Sequence, residues 1–270
     1  MKYGFSTLVC PGWQWNEILA SASDLGFDGI ELRGIGSEIY LPKIQLFLNN
    51  GIDSVKAELN RLNLQIPCLS TSAFLFDPSL KEAAQLEATE YIALAAKLGV
   101  PFIRLLGDRD PAPGPVDEAS VIENLQLLLP KAEAAGVTLL IESNGVYADS
   151  AKLQSLCEKL AHPSLGVLWD VHHPFRFFGE APTKTYENLK SFIRHVHIKD
   201  SEMSDGTVKY KMLGYGDVPI KEAISNLLSD GYDDFLVFEW VKRWNFELEA
   251  PGIVLPHFIS AVKDLQSVCN

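Results

Sequence analysis

Cysteine is scarce in this chain of 270 residues, and the four that occur stand far apart, as Cys10, Cys68, Cys157 and Cys269. No two of them form the close pair that clips a zinc ion. Their scatter also differs from the disulfide framework of a small secreted protein. The sequence therefore predicts neither a zinc clip nor a fold that depends on disulfide bonds.

Long apolar runs and basic runs are missing as well. No apolar run is long enough to span a bilayer, and the opening residues MKYGFSTLVCPGW are too short and too interrupted for a secretion signal. Lys and Arg number 23 against 35 Asp and Glu, for a net charge of -12, whereas nucleic-acid binding rests on basic residues that neutralise phosphates. We expect a soluble, cytoplasmic protein without a membrane or nucleic-acid partner, whose ligand is a small neutral substrate or a cation.

Apolar residues are plentiful, at 47% of the chain, which suffices for a sizeable core. Four segments repeat one pattern: ASDLGFDGIELRG, AAKLGVPFIRLLGD, AEAAGVTLLIESN and LLSDGYDDFLVFEW. In each segment a helical pattern ends at a glycine, and a short apolar strand follows. Glycine is common at the C-terminal end of a helix because the backbone there often takes the left-handed conformation. These strands lack clean alternation, which is typical of strands buried on both faces.

Eight strands alternate with helices along the whole chain. The strands are predicted at 2–7, 28–33, 65–71, 101–106, 137–142, 165–170, 194–199 and 235–240. The helices are predicted near 14–25, 53–62, 79–98, 119–135, 149–160, 184–192, 219–230 and 256–268. No linker divides the chain, so residues 1–270 are expected to form one α/β domain, a (β/α)8 TIM barrel. A doubly wound open sheet is the rival, but STLVCPGW after the first strand is not a glycine-rich phosphate turn.

Catalytic groups of such barrels lie at the carboxyl ends of the strands. Strands five to eight end in IESN, WDVHH, HVHIKD and FEW, which supply a carboxylate, a carboxylate, a histidine and a carboxylate. Three negative charges that converge on one buried site are costly unless a cation lies between them. The donor set suits one divalent metal ion, Mn²⁺ or Mg²⁺, with Zn²⁺ or Co²⁺ as further candidates. Of the two histidines of strand seven, His195 lies deeper and is expected to be a core residue bonded to backbone.

The chain resembles the xylose isomerase-like TIM barrels, and within them the sugar phosphate isomerase/epimerase group. That group includes ketose 3-epimerases, hydroxypyruvate isomerase and the isomerases and dehydratases of inositol catabolism. The resemblance rests on GFDGIELR, LGVPFIRLLGD, IESN, WDVHH, HVHIKDS, GYGDVP and FEW. It implies that one divalent metal is held by Glu142, Asp170, His197 and Glu239.

The same resemblance implies further roles. Glu142 and Glu239 would also be the catalytic acid–base pair, and His173, three residues after the metal aspartate, would contact the substrate. Ketose 3-epimerases carry a substrate-binding arginine shortly after the metal histidine, but here the stretch reads KDSEMSDG. The candidates to replace that arginine are Lys199, Lys209 and Lys211.

Other residues at strand ends and loops complete the expected site. Glu31, Arg104 and Lys199 are candidates for substrate binding. Aromatic side chains are candidates for its apolar walls, with core packing as the equally weighted alternative: Trp13, Trp15, Phe74, Phe175 and Trp240.

The resemblance predicts a sugar isomerase or epimerase that removes a proton next to a carbonyl group and forms an enediolate. An inositol-type dehydratase on the same fold is the alternative. A sugar-binding barrel without activity and an AP endonuclease-like protein rank lower. The endonuclease would need extra histidines on strands three and four, which end in Ser70, Thr71 and Ser72 and in Leu106 and Gly107. The resemblance also implies a homo-oligomer, either a dimer or a tetramer.

Overall fold

Eight parallel strands curl into a barrel in the computed structural model, which describes residues 1–49 and 51–269. Within these ranges ten strands occur in chain order: β1 (Lys2–Ser6), β2 (Gly29–Glu31), β3 (Cys68–Phe74), β4 (Phe102–Leu106), β5 (Thr138–Glu142), β6 (Leu165–Asp170), β7 (Ile193–Ile198), β8 (Asp200–Ser204), β9 (Thr207–Lys211) and β10 (Phe235–Phe238). The barrel sheet has the order β2-β1-β10-β7-β6-β5-β4-β3, and β8 and β9 form a separate hairpin. The predicted strands and the predicted TIM barrel are confirmed.

The seam between β2 and β3 nearly closes the barrel. It is bridged by two isolated parallel pairs, Gly29 with Gln65 and Leu32 with Leu69. The backbone N–H of Ile30 donates to the Gln65 carbonyl at 2.9 Å, and that of Ser70 donates to the Leu32 carbonyl at 2.8 Å. The ends of the sheet are therefore brought together by fewer contacts than its central strands.

Nine α-helices connect the strands within the described residues: α1 (Trp15–Leu25), α2 (Gly51–Leu62), α3 (Lys81–Leu98), α4 (Glu118–Ala135), α5 (Ser150–Leu160), α6 (His172–Phe178), α7 (Pro182–Leu189), α8 (Ile220–Ser229) and α9 (Pro251–Ser267). As the sequence predicted, α1, α3 and α4 end at glycines with positive φ. None of the helices described is both long and apolar enough to cross a membrane.

Two elements differ from the expectation. Helix α6 follows β6 after a single residue, and its Pro174 lies in the first turn, where a missing N–H breaks no helical hydrogen bond. Seven residues are too few to show a helical period. The sequence analysis assigns no helix or strand to residues 200–211, which form the β8–β9 hairpin. Its two-residue turn, Asp205–Gly206, has positive φ at both positions, the geometry that Asp-Gly favours between strands.

Alternation along the strands decides which side chains enter the barrel. Leu140 and Leu168 belong to a small buried cluster with Cys68, separate from the main core between sheet and helices. Successive side chains of a strand point to opposite faces, so Glu142 and Asp170, each two residues further on, share the inner face with those leucines. The barrel interior thus changes from apolar at its base to acidic at the carboxyl ends of β5 and β6.

We predict that Phe258→Ala lowers the free energy of unfolding by about 3–5 kcal/mol, because it removes a buried ring from the core. Phe258 is fully buried and stacks on Phe238, with ring centroids 4.6 Å apart. Urea unfolding measures the change. The matched control, Leu86→Ala on an exposed position of α3, should shift stability by less than about 0.5 kcal/mol. Equal stability of the two variants would contradict this account of the core.

Candidate metal centre and active site

Four side chains from four adjacent strands meet at the carboxyl end of the barrel. Glu142 ends β5, Asp170 ends β6, His197 lies in β7 and Glu239 directly follows β10. One ligand atom from each lies within 4.8 Å of the others, and all four residues are buried. The structure therefore brings together the four residues that the sequence nominated as metal ligands.

The His197 ring is oriented by a carboxylate behind it. Its Nε2 lies 2.7 Å from Oε2 of Glu31, and its Nδ1 lies 3.4 Å from Oε1 of Glu239. Among residues 1–49 and 51–269, Nδ1 has no hydrogen-bond partner. When Nε2 carries the ring proton and donates it to Glu31, the lone pair of Nδ1 points toward the carboxylates of the cluster. Histidines that bind metals between a carboxylate and the ion have this arrangement.

Glu31 lies beneath the site rather than in it. It is fully buried, lies 2.9 Å from Nε2 of His195 and accepts a hydrogen bond of 2.7 Å from Oγ of Ser70. Burial alone would raise the pKa of Glu31, but the charge of His197 and the hydrogen bonds from both histidines hold that pKa well below its usual range. His195 is a core residue, as expected, although its partner is this carboxylate rather than the backbone.

Two permanent cations face the acidic cluster. Arg104 places Nε 3.4 Å from Oε2 of Glu142, and the Lys199 ammonium contacts Oδ2 of Asp170 and Oε2 of Glu239. Both cations are buried. They offset two of the negative charges that meet here and leave the others uncompensated.

The uncompensated negative charge shifts the pKa values of two residues of the cluster, Glu142 and His197. Burial, together with the charge of Glu239, raises the pKa of Glu142 to about 7 even though Arg104 opposes the shift. Burial would lower the pKa of His197, but the charges of Glu31 and Glu239 raise it well above its usual value. With Glu31 counted, four carboxylates face the two permanent cations, and the raised pKa values of Glu142 and His197 mean that bound protons make up the difference. A divalent cation would replace those protons. The residues present thus fit a metal ion in both donor chemistry and charge.

Asp170 is held in place by the helix that follows it. Its Oδ1 accepts hydrogen bonds from the backbone N–H groups of His172 and His173, each at 3.0 Å. Its own N–H donates to Oγ of Ser143 at 2.8 Å. These contacts fix the carboxylate so that Oδ2 is presented to the centre of the cluster.

His173 is a neutral imidazole at the edge of the site. Burial, reinforced by the charge of Lys199, lowers its pKa well below the usual value. Its Nδ1 lies 3.2 Å from the Ser143 carbonyl and 3.6 Å from Oε1 of Glu142. Nδ1 therefore carries the proton that it donates to this carbonyl, and Nε2 is left as an acceptor.

A cavity of about 620 Å³ opens onto the cluster, within the size range that encloses small ligands. Five of the predicted site residues line it: Arg104, Glu142, His173, Lys199 and Glu239. Glu31 and Trp13 are not among the lining residues that the structure describes. Of the predicted aromatic walls, Phe74 lines the cavity, whereas Trp15, Phe175 and Trp240 are not among those residues.

Sequence reasoning missed several lining residues. Arg33 stands at the strand end IELRG, where position alone could have nominated it, and Tyr210 reaches the cavity from the hairpin that Asp-Gly marks. Arg109 and Trp244 lie in long connections without any pattern that marks a site. The loops that complete the mouth are thus the least predictable part of the site.

The GYGDVP segment is tied to the end of β7 by one carboxylate. Asp200 accepts hydrogen bonds from the N–H groups of Gly214, Gly216 and Val218 at 2.9, 3.0 and 3.3 Å. A Cβ at Gly216 would lie 2.1 Å from Oδ1 of Asp200, so only glycine permits this approach. The loop is therefore fixed beside Lys199, the residue before Asp200.

A family model described as xylose isomerase-like TIM barrel matches residues 19–254. The chain belongs to this family. Fructoselysine 3-epimerase of Escherichia coli is 26% identical over 261 residues, with 90% of this chain and 92% of that protein covered.

Solved structures repeat the same fold. The IOLI protein with a bound zinc atom superposes with a TM-score of 0.81 at 17% identity, covering 100% of this chain and 99% of its own. D-psicose 3-epimerase of Clostridium cellulolyticum, solved with D-tagatose, has a TM-score of 0.78 at 17% identity and covers all of both chains. At these identities the structural matches show the shared barrel.

We predict that Glu31→Gln weakens Zn²⁺ binding roughly 10- to 100-fold, because the amide no longer fixes the tautomer and orientation of His197. Titration of the apo protein against a chromogenic zinc chelator measures the affinity. Glu82→Gln, on an exposed position of α3, is the control with the same chemical change and should bind Zn²⁺ as the wild type does. Unchanged affinity in a folded Glu31→Gln protein would show that His197 does not depend on this carboxylate.

Proposed function

We propose that this protein is a metal-dependent sugar epimerase or isomerase that removes a proton from a carbon next to the carbonyl group of a ketose. The observation that carries the proposal is the placement of two cavity-lining carboxylates, Glu142 and Glu239, at the two ends of a four-strand arc. Asp170 and His197 lie between them. Membership of the family and the likeness to fructoselysine 3-epimerase support this reading.

The metal ion would be held by Glu142, Asp170, His197 and Glu239. When bound, it would act as a Lewis acid that stabilises the negative charge developing on the substrate oxygen. The mixed set of three carboxylates and one imidazole favours Mn²⁺, with Mg²⁺, Co²⁺ and Zn²⁺ as alternatives.

Glu142 and Glu239 would each carry out one of the two proton transfers. One carboxylate takes the proton from carbon as general base, and the electron pair left behind moves to the carbonyl oxygen and gives an enediolate. The other carboxylate returns a proton on the opposite face, which inverts that carbon and makes the reaction an epimerisation. Return of the proton to the neighbouring carbon instead would make it an isomerisation.

Three further side chains would hold the substrate and tune the acid–base pair. His173, with its free Nε2, would accept a hydrogen bond from a substrate hydroxyl. Arg104 lies against Glu142 and favours its charged form, which is the form that a base needs. Lys199 lines the cavity and is buried, whereas Lys209 is exposed and Lys211 pairs with Glu202 at 2.9 Å. Of the three lysines considered for the role of the missing arginine, Lys199 is the one that the cavity presents to a ligand.

We predict that the purified protein carries about one divalent metal ion per chain, bound by these four ligands. Mass spectrometry of the metal content tests this. Asp170→Ala and His197→Ala should lose the metal, whereas Glu82→Gln should retain it. A wild-type protein that stays metal-free after incubation with Mn²⁺, Co²⁺ and Zn²⁺ would contradict the proposal.

We predict that Glu142→Gln and Glu239→Gln each slow epimerisation by about 10²- to 10⁴-fold, because each removes one of the two proton-transfer groups. D-tagatose, D-fructose and D-psicose are incubated in D₂O, and NMR follows both product formation and deuterium incorporation at carbon. A variant that keeps one base should still exchange the proton on one face without forming the epimer.

Glu82→Gln is again the control and should match the wild type in both readouts. Full activity in both active-site variants would overturn the assignment. A product that absorbs in the ultraviolet as an enone would instead identify a dehydratase that uses the same base.

A further inference from the structure

Arg33 is a buried guanidinium at the end of β2 that lines the cavity without a carboxylate partner. It is 6% exposed. Its Nη2 donates to Oγ of Ser72 at 2.5 Å and its Nη1 to the carbonyl of Ile39 at 3.5 Å. Within the part of the chain that the structure describes, it forms no ion pair within 4.0 Å. A buried charge that is left unpaired is costly, so the site is set up to receive a negative charge.

Two guanidinium groups, Arg104 and Arg243, and one carboxylate, Glu87, lie near enough to Arg33 to act on its charge. Burial and the nearby charges of Arg104 and Arg243 lower the pKa of Arg33 to about 10. Arg243 is 7% exposed, donates to the Gly36 carbonyl at 3.0 Å and likewise has no ion-pair partner among the described residues. Glu87 acts on Arg33 through its charge, but its Oε1 accepts the Ser72 N–H at 2.6 Å instead.

Arg33 is held rigidly at this position. Its backbone N–H donates to Oγ1 of Thr7 at 2.9 Å, and its guanidinium lies over the Trp244 ring, 5.6 Å from the centroid. The exposed Arg109 lines the same cavity, next to the exposed Asp110. A fixed, planar guanidinium suits bidentate recognition of a carboxylate or a phosphate.

The position of β2 in the barrel relates Arg33 to the metal centre. In the order of the sheet, β2 lies four strands away from β6 in either direction around the barrel, so Arg33 lies across the mouth from Asp170 and His173. A substrate whose carbonyl end rests at the four-ligand cluster extends its other end toward Arg33 and Ser72.

We propose that Arg33, with Ser72 beside it, binds an anionic end group of the sugar substrate, either a carboxylate or a phosphate. This inference rests on the proposed function for the position of the reacting end. It narrows the substrate class from ketoses in general to ketoses that carry a negative charge at the end remote from the carbonyl.

Binding of unreactive six-carbon ligands tests the subsite without turnover. D-Gluconate, D-glucitol 6-phosphate and neutral D-glucitol are titrated by calorimetry into the protein as purified. We expect at least one anion to bind roughly 10- to 100-fold more tightly than D-glucitol, as hydrogen bonds to a charged partner require. Tighter binding of gluconate would assign a carboxylate, and tighter binding of the phosphate ester would assign a phosphate.

Variants of Arg33 decide whether this residue is responsible. Arg33→Gln should reduce the preference for the anion to less than about threefold. Arg33→Lys should retain part of the preference, because the positive charge stays while the planar pair of N–H donors of the guanidinium is lost. Arg61→Gln, on an exposed position of α2, is the control and should keep the full preference. An anion preference that persists in Arg33→Gln, or a wild type without any preference, would overturn the inference.

The two proposals fail in different ways. If the protein turns over neutral ketoses but shows no anion binding that depends on Arg33, the proposed subsite is wrong and the proposed function stands. Conversely, Arg33-dependent anion binding by a protein that turns over no ketose, neutral or charged, would support the subsite and overturn the function.

Discussion

Repulsion between buried carboxylates is the constraint around which this barrel is organised. Glu142, Asp170 and Glu239 converge because their strands are adjacent and end at the same level. Such a group is stable only if positive charge is close by. The chain supplies part of it through Arg104 and Lys199, and a divalent cation among the carboxylates would supply the rest.

A second layer of polar side chains lies beneath the cluster and fixes the orientation of His197. Glu31 joins His195 and His197, which lie on the same face of β7, and receives Ser70 from β3. Each of these four side chains has a partner in the layer, although Nδ1 of His195 and of His197 has none among the described residues. The layer therefore fixes side-chain orientation in a low-dielectric interior. The orientation of His197, a proposed metal ligand, is thus fixed by a residue from the opposite side of the barrel.

The architecture follows from local pattern, and the four clustered residues follow from the strand ends together with the family resemblance, so both were predictable. Glycine-terminated helices and apolar strands revealed the barrel, and alternation in HVHIK placed His195 and His197 on one face. The contact of Glu31 with His195 joins residues 164 positions apart, and no local pattern encodes it. The strand end IELRG marks the position of Arg33, but no local pattern shows that its guanidinium lacks a carboxylate partner among the residues described. Trp13 was a candidate for an apolar wall and is not among the described residues that line the cavity.

The seam between β2 and β3 is the part of the barrel where strand pairing constrains the sequence least. Around the cluster, β5, β6 and β7 are paired along most of their length, whereas β2 has three residues and meets β3 through isolated bridges. Arg33 lies two residues after the end of this short strand. We therefore expect substitutions at the seam to change which molecules the cavity accepts, while the well-paired strands and their four-residue cluster stay in place.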